Sequence, residues 1–301
     1  MQEMNMLQKN YPDLTVQKDV PLSGYTTLRV GGKADYLLTA ETEETICGVL
    51  RFLQEKGIPY LLMGNGSNLL VKDGGFRGAV LRFGKEFGAI AKTDDGLYAQ
   101  CGALMSLLSK AALDYGYTGL EFAHGIPGTV GGGVYMNAGA YGGEIKNTIA
   151  SVRSIDKKKG IPEETPLNEL EFSYRNTSFM KNERIVTAAY FRLTKGDPTE
   201  IKAKMDELMA KRKHSQPLEY PSAGSTFKRP PVGYAAAHID ECGLKGTAVG
   251  GAMVSPKHAG FVINTGEATF SDVTGLMDII KETVLKEHGV LLEPEVEILK
   301  D

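Results

Sequence analysis

Several things are scarce in this chain, and each scarcity excludes a class of protein. Cysteine occurs three times in 301 residues, at Cys47, Cys101 and Cys242, with no CxxC and no Cys/His pair. Neither a disulfide framework nor a structural zinc site is indicated, and a reducing compartment fits. Basic excess is missing: 34 Lys and Arg face 37 Asp and Glu, a net charge of -3. A nucleic-acid partner is therefore not expected, because nothing is in surplus to neutralise a phosphate backbone. No apolar run approaches the ~18 residues of a membrane span, and the opening MQEMNMLQKN lacks the apolar core of a signal peptide. A cytoplasmic protein without a membrane partner is expected. The five histidines, His124, His214, His238, His258 and His288, show no HExxH-type spacing, so no metal is expected.

Glycine, by contrast, is concentrated. The stretch His124–Gly143, HGIPGTVGGGVYMNAGAYGG, has eight glycines in twenty residues and no Lys, Arg, Asp or Glu. Glycine in a regular element costs roughly 0.5–1 kcal/mol relative to alanine, so such a run implies positive φ or close approach of a ligand to bare backbone. A phosphate or pyrophosphate is the natural ligand for bare N–H groups. A second uncharged loop, Gly64-Asn65-Gly66-Ser67-Asn68, begins like a dinucleotide fingerprint. It lacks the third glycine, and a strand rather than a helix follows it, so a Rossmann site is disfavoured. Read alone, this loop is a polar hairpin turn. Read with the longer stretch, it is a second wall for one nucleotide.

Periodicity supplies the elements. Thr42 caps a helix with Glu43 and Glu44 in its first turn, Ile46, Val49, Leu50 and Leu53 on one face, and Gly57 as its stop. Leu104, Leu107, Leu108, Ala111 and Tyr115 mark a second helix ending at Gly116. Short apolar runs at Tyr60–Met63, Leu69–Val71, Ala79–Phe83, Leu97–Cys101, Ile149–Asp156 and Ile185–Thr194 predict strands. Helices are expected over Thr199–His214, Val232–Cys242 and Ser271–His288, with a final strand LLEPEVEIL. Mixed strands and helices without repeats define an α+β class, and a composition change places a domain boundary between about Gly196 and Pro217.

Three polar residues outside the glycine loops invite two readings each. Arg175 lies between aromatics in FSYRNTSF and is either a carboxylate clamp or a surface arginine packed on Tyr174. Ser225 in AGSTFKRP lacks a G-x-S-x-G elbow and a histidine partner, so it is a loop serine or a positioned proton donor. Glu295 alternates with Glu293 and Glu297, which reads first as a solvated strand face.

Taken together and in this order, GNGSNLLV, HGIPGTVGGGVYMNAGAYGGE, SYRNTSF, PSAGSTFKRP and LEPEVEIL resemble the UDP-N-acetylenolpyruvoylglucosamine reductases, from about Ser23 to the C-terminus. The resemblance is to the shorter, second type, since the additional tyrosine-bearing loop of the longer form is absent. Lys213-His214-Ser215-Gln216 and Arg229 also depart from that longer form. It implies an FAD-binding domain of the PCMH or vanillyl-alcohol-oxidase fold, made of two α+β subdomains over residues 1–85 and 86–196, and an α+β substrate-binding domain over 197–301. It implies NADPH as reductant and UDP-N-acetylglucosamine enolpyruvate as substrate, reduced through FAD to UDP-N-acetylmuramate for peptidoglycan synthesis, by an enzyme expected to be monomeric. Matched position by position, Arg175, Ser225 and Glu295 are the catalytic residues, which reverses all three bland readings. Gly64, Asn65, Gly66, Ser67, Asn68, Gly125, Ile126, Pro127, Gly128, Thr129, Gly131, Asn137, Ala138, Gly139 and Ala140 are the cofactor contacts. Tyr174, Arg212 and Lys228 are the substrate contacts. The alternatives are an FAD oxidase of the same fold acting on a small alcohol or sugar, and a nucleotide-sugar binding protein without catalysis.

Overall fold

Thr42 begins the best-defined helix of the N-terminal region, as its sequence requires. In the computed structural model, which describes residues 2–299, the Thr42 side chain accepts a bond from the Thr45 N–H at 3.2 Å, opening the helix Glu43–Glu55. Ile46, Val49, Leu50 and Leu53 are fully buried, and Gly57 follows at φ 62°. The chain divides into two compact units.

One unit takes residues up to 18, 36–64 and 78–211. Its frame is an antiparallel five-stranded sheet in the order Pro162–Pro166, Ile149–Asp156, Arg184–Arg192, Gly96–Gln100, Ile90–Lys92. Glu43 ties the first turn of the Glu43–Glu55 helix to this sheet: Arg153 donates to both of its carboxylate oxygens, at 3.0 and 2.7 Å, and Thr187 donates at 2.9 Å. The helix Met105–Asp114 buries Met105, Leu108, Ser109 and Ala112, whereas Leu104, Leu107 and Tyr115 stay exposed. The expected apolar face is thus rotated. Leu104 is the extended residue before the helix, and its neighbour Met105 turns inward. Residues 198–211 of the helix Pro198–Ser215 end this unit, with Ile201, Met205 and Leu208 buried.

The other unit takes residues 19–35, 65–77 and 212–299. A three-stranded antiparallel meander, Ala248–Val249, Ala252–Val254 and Val262–Asn264, shares a core with the helix Phe270–His288. That helix starts in a reciprocal capping box between Thr269 and Asp272 and buries Val273, Leu276, Met277, Ile280 and Val284. Leu69–Val71 runs parallel to Glu297–Leu299, register Leu69 to Glu297.

Three expectations are corrected here. The loop 64–68 is not a hairpin turn: Tyr60–Met63 pairs in parallel with residues 79–82, while Leu69–Val71 pairs with the far end of the chain. The final strand is only Glu297–Leu299, because Pro294 and the bridge of Phe227 to Pro294 set a separate pairing just before it. The helix expected over Val232–Cys242 is confined to Ala235–Glu241, since Gly233 adopts φ 73°.

Candidate active site

The glycine stretch is built by close packing before any ligand is considered. Thr129 caps the short helix Val130–Tyr135 by accepting from Gly132 N–H at 3.4 Å. A Cβ at Gly131 would lie 2.8 Å from the Cys101 Cβ, and one at Gly133 would lie 2.8 Å from Met105 Sδ. These glycines let the helix press on the core, and the N–H groups of Val130, Gly131 and Gly133 are bonded to Ala103, Cys101 and Thr129 carbonyls. Only part of the stretch therefore offers bare backbone. The N–H groups of Gly125, Gly128 and Thr129 have no hydrogen-bond partner among the described residues.

The loop 64–68 is equally tight. A Cβ at Gly64 would stand 2.6 Å from Thr129 Oγ1, so only glycine allows this contact with the capping threonine. Gly66 adopts φ 60°, a Cβ there would meet the Tyr25 carbonyl oxygen at 2.2 Å, and Gly66 O accepts from Thr27 N–H at 3.2 Å. The N–H groups of Gly66 and Ser67 likewise have no partner among the described residues. Asn68 Nδ2 donates to the Glu295 carbonyl at 3.0 Å. In each loop, taken by itself, partnerless N–H donors beside glycines that exclude side chains suit a phosphate group, and the absence of charge suits the rest of a flavin nucleotide.

The same stretch positions Arg175. Residues Phe172–Ser173 and Asn176–Thr177 form a two-residue hairpin with Tyr174 and Arg175 at its tip, and Arg175 takes φ 50°. Left-handed backbone costs an L-residue about 1 kcal/mol or more, so the surroundings must hold the turn. They do: the guanidinium donates to the carbonyls of Asn137 at 3.5 Å and Gly139 at 3.2 Å and lies 5.1 Å from the Tyr174 ring centre. Thr177 Oγ1 donates to Tyr135 O at 2.7 Å.

Asn137 is the centre of this arrangement. It is wholly buried at φ 47°, its Nδ2 donates to Glu144 at 2.8 Å and to Ser173 O at 3.0 Å, and its Oδ1 accepts from Lys146 N–H at 3.0 Å. Its own N–H goes to Val134 O. Sequence reasoning named Asn137 for the cofactor and missed its service to the arginine hairpin. The signal was slight, an asparagine among glycines where positive φ is easiest.

Ser225 and Glu295 are brought together by chain segments seventy residues apart. Thr226 O accepts from Glu295 N–H at 2.8 Å, Phe227 bridges Pro294, and Lys228 N–H donates to Glu293 O at 2.8 Å. Thr226 is buried and fixed on its other side, its N–H to Gly260 O at 2.9 Å and its Oγ1 accepting from Val262 N–H at 3.0 Å. Ser225, next in the chain and after Gly224 at φ 77°, is exposed at the end of this ladder. Glu295 is half-buried where Glu293 and Glu297 are exposed, so the three do not form one solvated face. Lys228 lies 3.5 Å from Glu293, and Arg212 sits half-buried in the last turn of Pro198–Ser215. A neighbouring support is His258, whose Nδ1 accepts from Gly260 N–H at 3.1 Å. Burial holds its pKa below the usual histidine value.

Such a surface, carried on an α+β frame, defines a flavin-nucleotide-binding protein, and residues 34–164 match the family of FAD binding domains. Residues 216–299 match the C-terminal domain of UDP-N-acetylenolpyruvoylglucosamine reductase. The reductase of that name from Clostridium novyi is 47% identical over 94% of this chain and 92% of its own. That from Clostridioides difficile is 45% identical over 98% and 96%. The solved reductase of Thermus caldophilus matches with a TM-score of 0.82 at 38% identity, covering 95% of this chain and 100% of the other. The chain belongs to the UDP-N-acetylenolpyruvoylglucosamine reductase family.

Proposed function

We propose that this protein catalyses the NADPH-dependent, FAD-mediated reduction of the enolpyruvyl group of UDP-N-acetylglucosamine enolpyruvate to UDP-N-acetylmuramate, a step of peptidoglycan precursor synthesis. The observation that carries the proposal is the Thr226–Glu295 pairing, which puts an exposed serine hydroxyl, a half-buried carboxylate and Lys228 on one ladder. FAD, when bound, supplies the hydride. Gly64–Asn68, Gly125–Thr129 and Gly131 would hold it, their uncharged backbone suiting its pyrophosphate. Asn137, Ala138, Gly139 and Ala140 border it.

Arg175, its guanidinium plane set by two carbonyls, binds the substrate carboxylate. It stabilises the enolate-like charge that develops there as hydride reaches one carbon of the double bond. Ser225 Oγ gives its proton to the neighbouring carbon, so one hydride and one proton saturate the bond. Glu295 serves in returning that proton to the serine. Tyr174, Arg212 and Lys228 bind the UDP portion. Residues 1–85 and 86–196 act as the two FAD-binding subdomains and 197–301 as the substrate domain of a monomer working in the cytoplasm, away from membranes and nucleic acid. Among the described residues no helix is long and apolar enough to cross a membrane.

Anaerobic NADPH oxidation by the flavin-loaded protein tests the reading. The expected result is sustained turnover only when UDP-N-acetylglucosamine enolpyruvate is present. An equal rate without it would remove the reductase assignment.

A further inference from the structure

Two helices of the C-terminal unit end at the same corner, and their last turns carry a set of metal-ligating groups that linear spacing does not reveal. His238 and Glu241 are three residues apart on Ala235–Glu241, and His288 is the last residue of Phe270–His288. One ligand atom of each lies within 4.8 Å of those of the other two. His288 Nδ1 is 3.8 Å from Glu241 Oε2, and the two imidazole rings, 5.0 Å apart, are tilted by 60° rather than stacked.

The tautomer of His238 is fixed by its surroundings. Its Nε2 lies 2.9 Å from the Val232 carbonyl oxygen, which can only accept, so Nε2 carries a proton and, in the neutral imidazole, Nδ1 is a lone pair. That Nδ1 is buried and has no hydrogen-bond partner. A buried acceptor left unpaired is costly, and an imidazole whose outer N–H is held by a backbone carbonyl is the arrangement that orients a metal-bound histidine.

The local field has the sign a cation needs. Both helices present their C-terminal, partially negative ends here, Gly289 closing the second at φ 66°. An ion pair between His288 and Glu241 alone does not account for this corner, since 3.8 Å is long for a hydrogen bond and leaves His238 Nδ1 without a partner.

We infer that His238, Glu241 and His288 form a binding site for a zinc-class divalent ion that clamps the ends of these two helices. Two imidazoles and one carboxylate select borderline metals such as Zn²⁺ over Mg²⁺ or Ca²⁺. The test is titration calorimetry and thermal melting of tag-free, FAD-loaded protein after chelator dialysis, with Zn²⁺ and Mg²⁺ as probes, on wild type, Glu241→Gln and His288→Gln. Both variants lie at helix ends, and melting without metal checks that they are folded. The expected result is one equivalent of Zn²⁺ with a rise in Tm, no response to Mg²⁺, and affinity weakened about tenfold or more in each variant. Absence of saturable one-to-one binding, or unchanged Zn²⁺ affinity in both variants, would overturn the site.

Discussion

Asn137 shows how one side chain fixes another residue's chemistry. It holds Ser173, Glu144 and Lys146 while its carbonyl receives Arg175, so the hairpin that carries the arginine hangs on it. Asn137→Ala strands three part-buried partners, Glu144, Ser173 O and Lys146 N–H, each worth about 1 kcal/mol. We expect a lowered Tm and a fall in turnover per bound flavin, measured by melting and by assay normalised to flavin absorbance. Lost flavin with unchanged turnover per flavin would contradict the positioning role. His258 gives a pH prediction. Its folded pKa lies below the ordinary value of about 6.5, so the unfolded chain takes up the proton first. The stability it contributes is full above that value and is lost as pH falls through 6.5 toward its folded pKa. In His258→Asn the amide oxygen can still accept from Gly260 but does not titrate. Melts at pH 7.5 and pH 5.5 should show a larger acid loss in wild type than in the variant; equal losses would refute it.

At the scale of elements, the helices were the most legible part of the sequence, because caps and apolar spacing are local. Glu43–Glu55 has the cap and the face its residues predict, and Phe270–His288 matches the expected span 271–288 to within one residue. The loop 64–68 was misread as a hairpin because its flanking strands pair with distant segments, and nothing local encodes such partners. Arg175 at φ 50° was equally hidden, since arginine carries no preference for that conformation. The glycine stretch was legible as backbone surface, yet not which of its glycines serve packing, as Gly131 and Gly133 do. Gly66 tests the loop directly. Gly66→Ala places a Cβ 2.2 Å from Tyr25 O at a left-handed position, costing about 1–2 kcal/mol from backbone alone. Purified Gly66→Ala should melt lower and hold less FAD per chain than wild type. Full flavin content at an unchanged Tm would show that the loop tolerates a shifted path.

For the whole molecule, the division of labour is the central claim. In the proposed function the glycine loops take the cofactor, and Arg175, Ser225 and Glu295 take the substrate. These three could not be assigned from their neighbours in sequence, because Ser225 and Glu295 approach through the pairing of residues 226–228 with 293–295. Their assignment rests on the ordered set of five motifs, which single residues do not supply. The most direct measurement is rapid-mixing kinetics of Ser225→Ala in two half-reactions. The account predicts that reduction of bound flavin by NADPH stays near wild type, while its reoxidation by UDP-N-acetylglucosamine enolpyruvate slows by about 10²–10⁴ for want of a proton donor. Collapse of the NADPH half-reaction, or reoxidation at the wild-type rate, would contradict it.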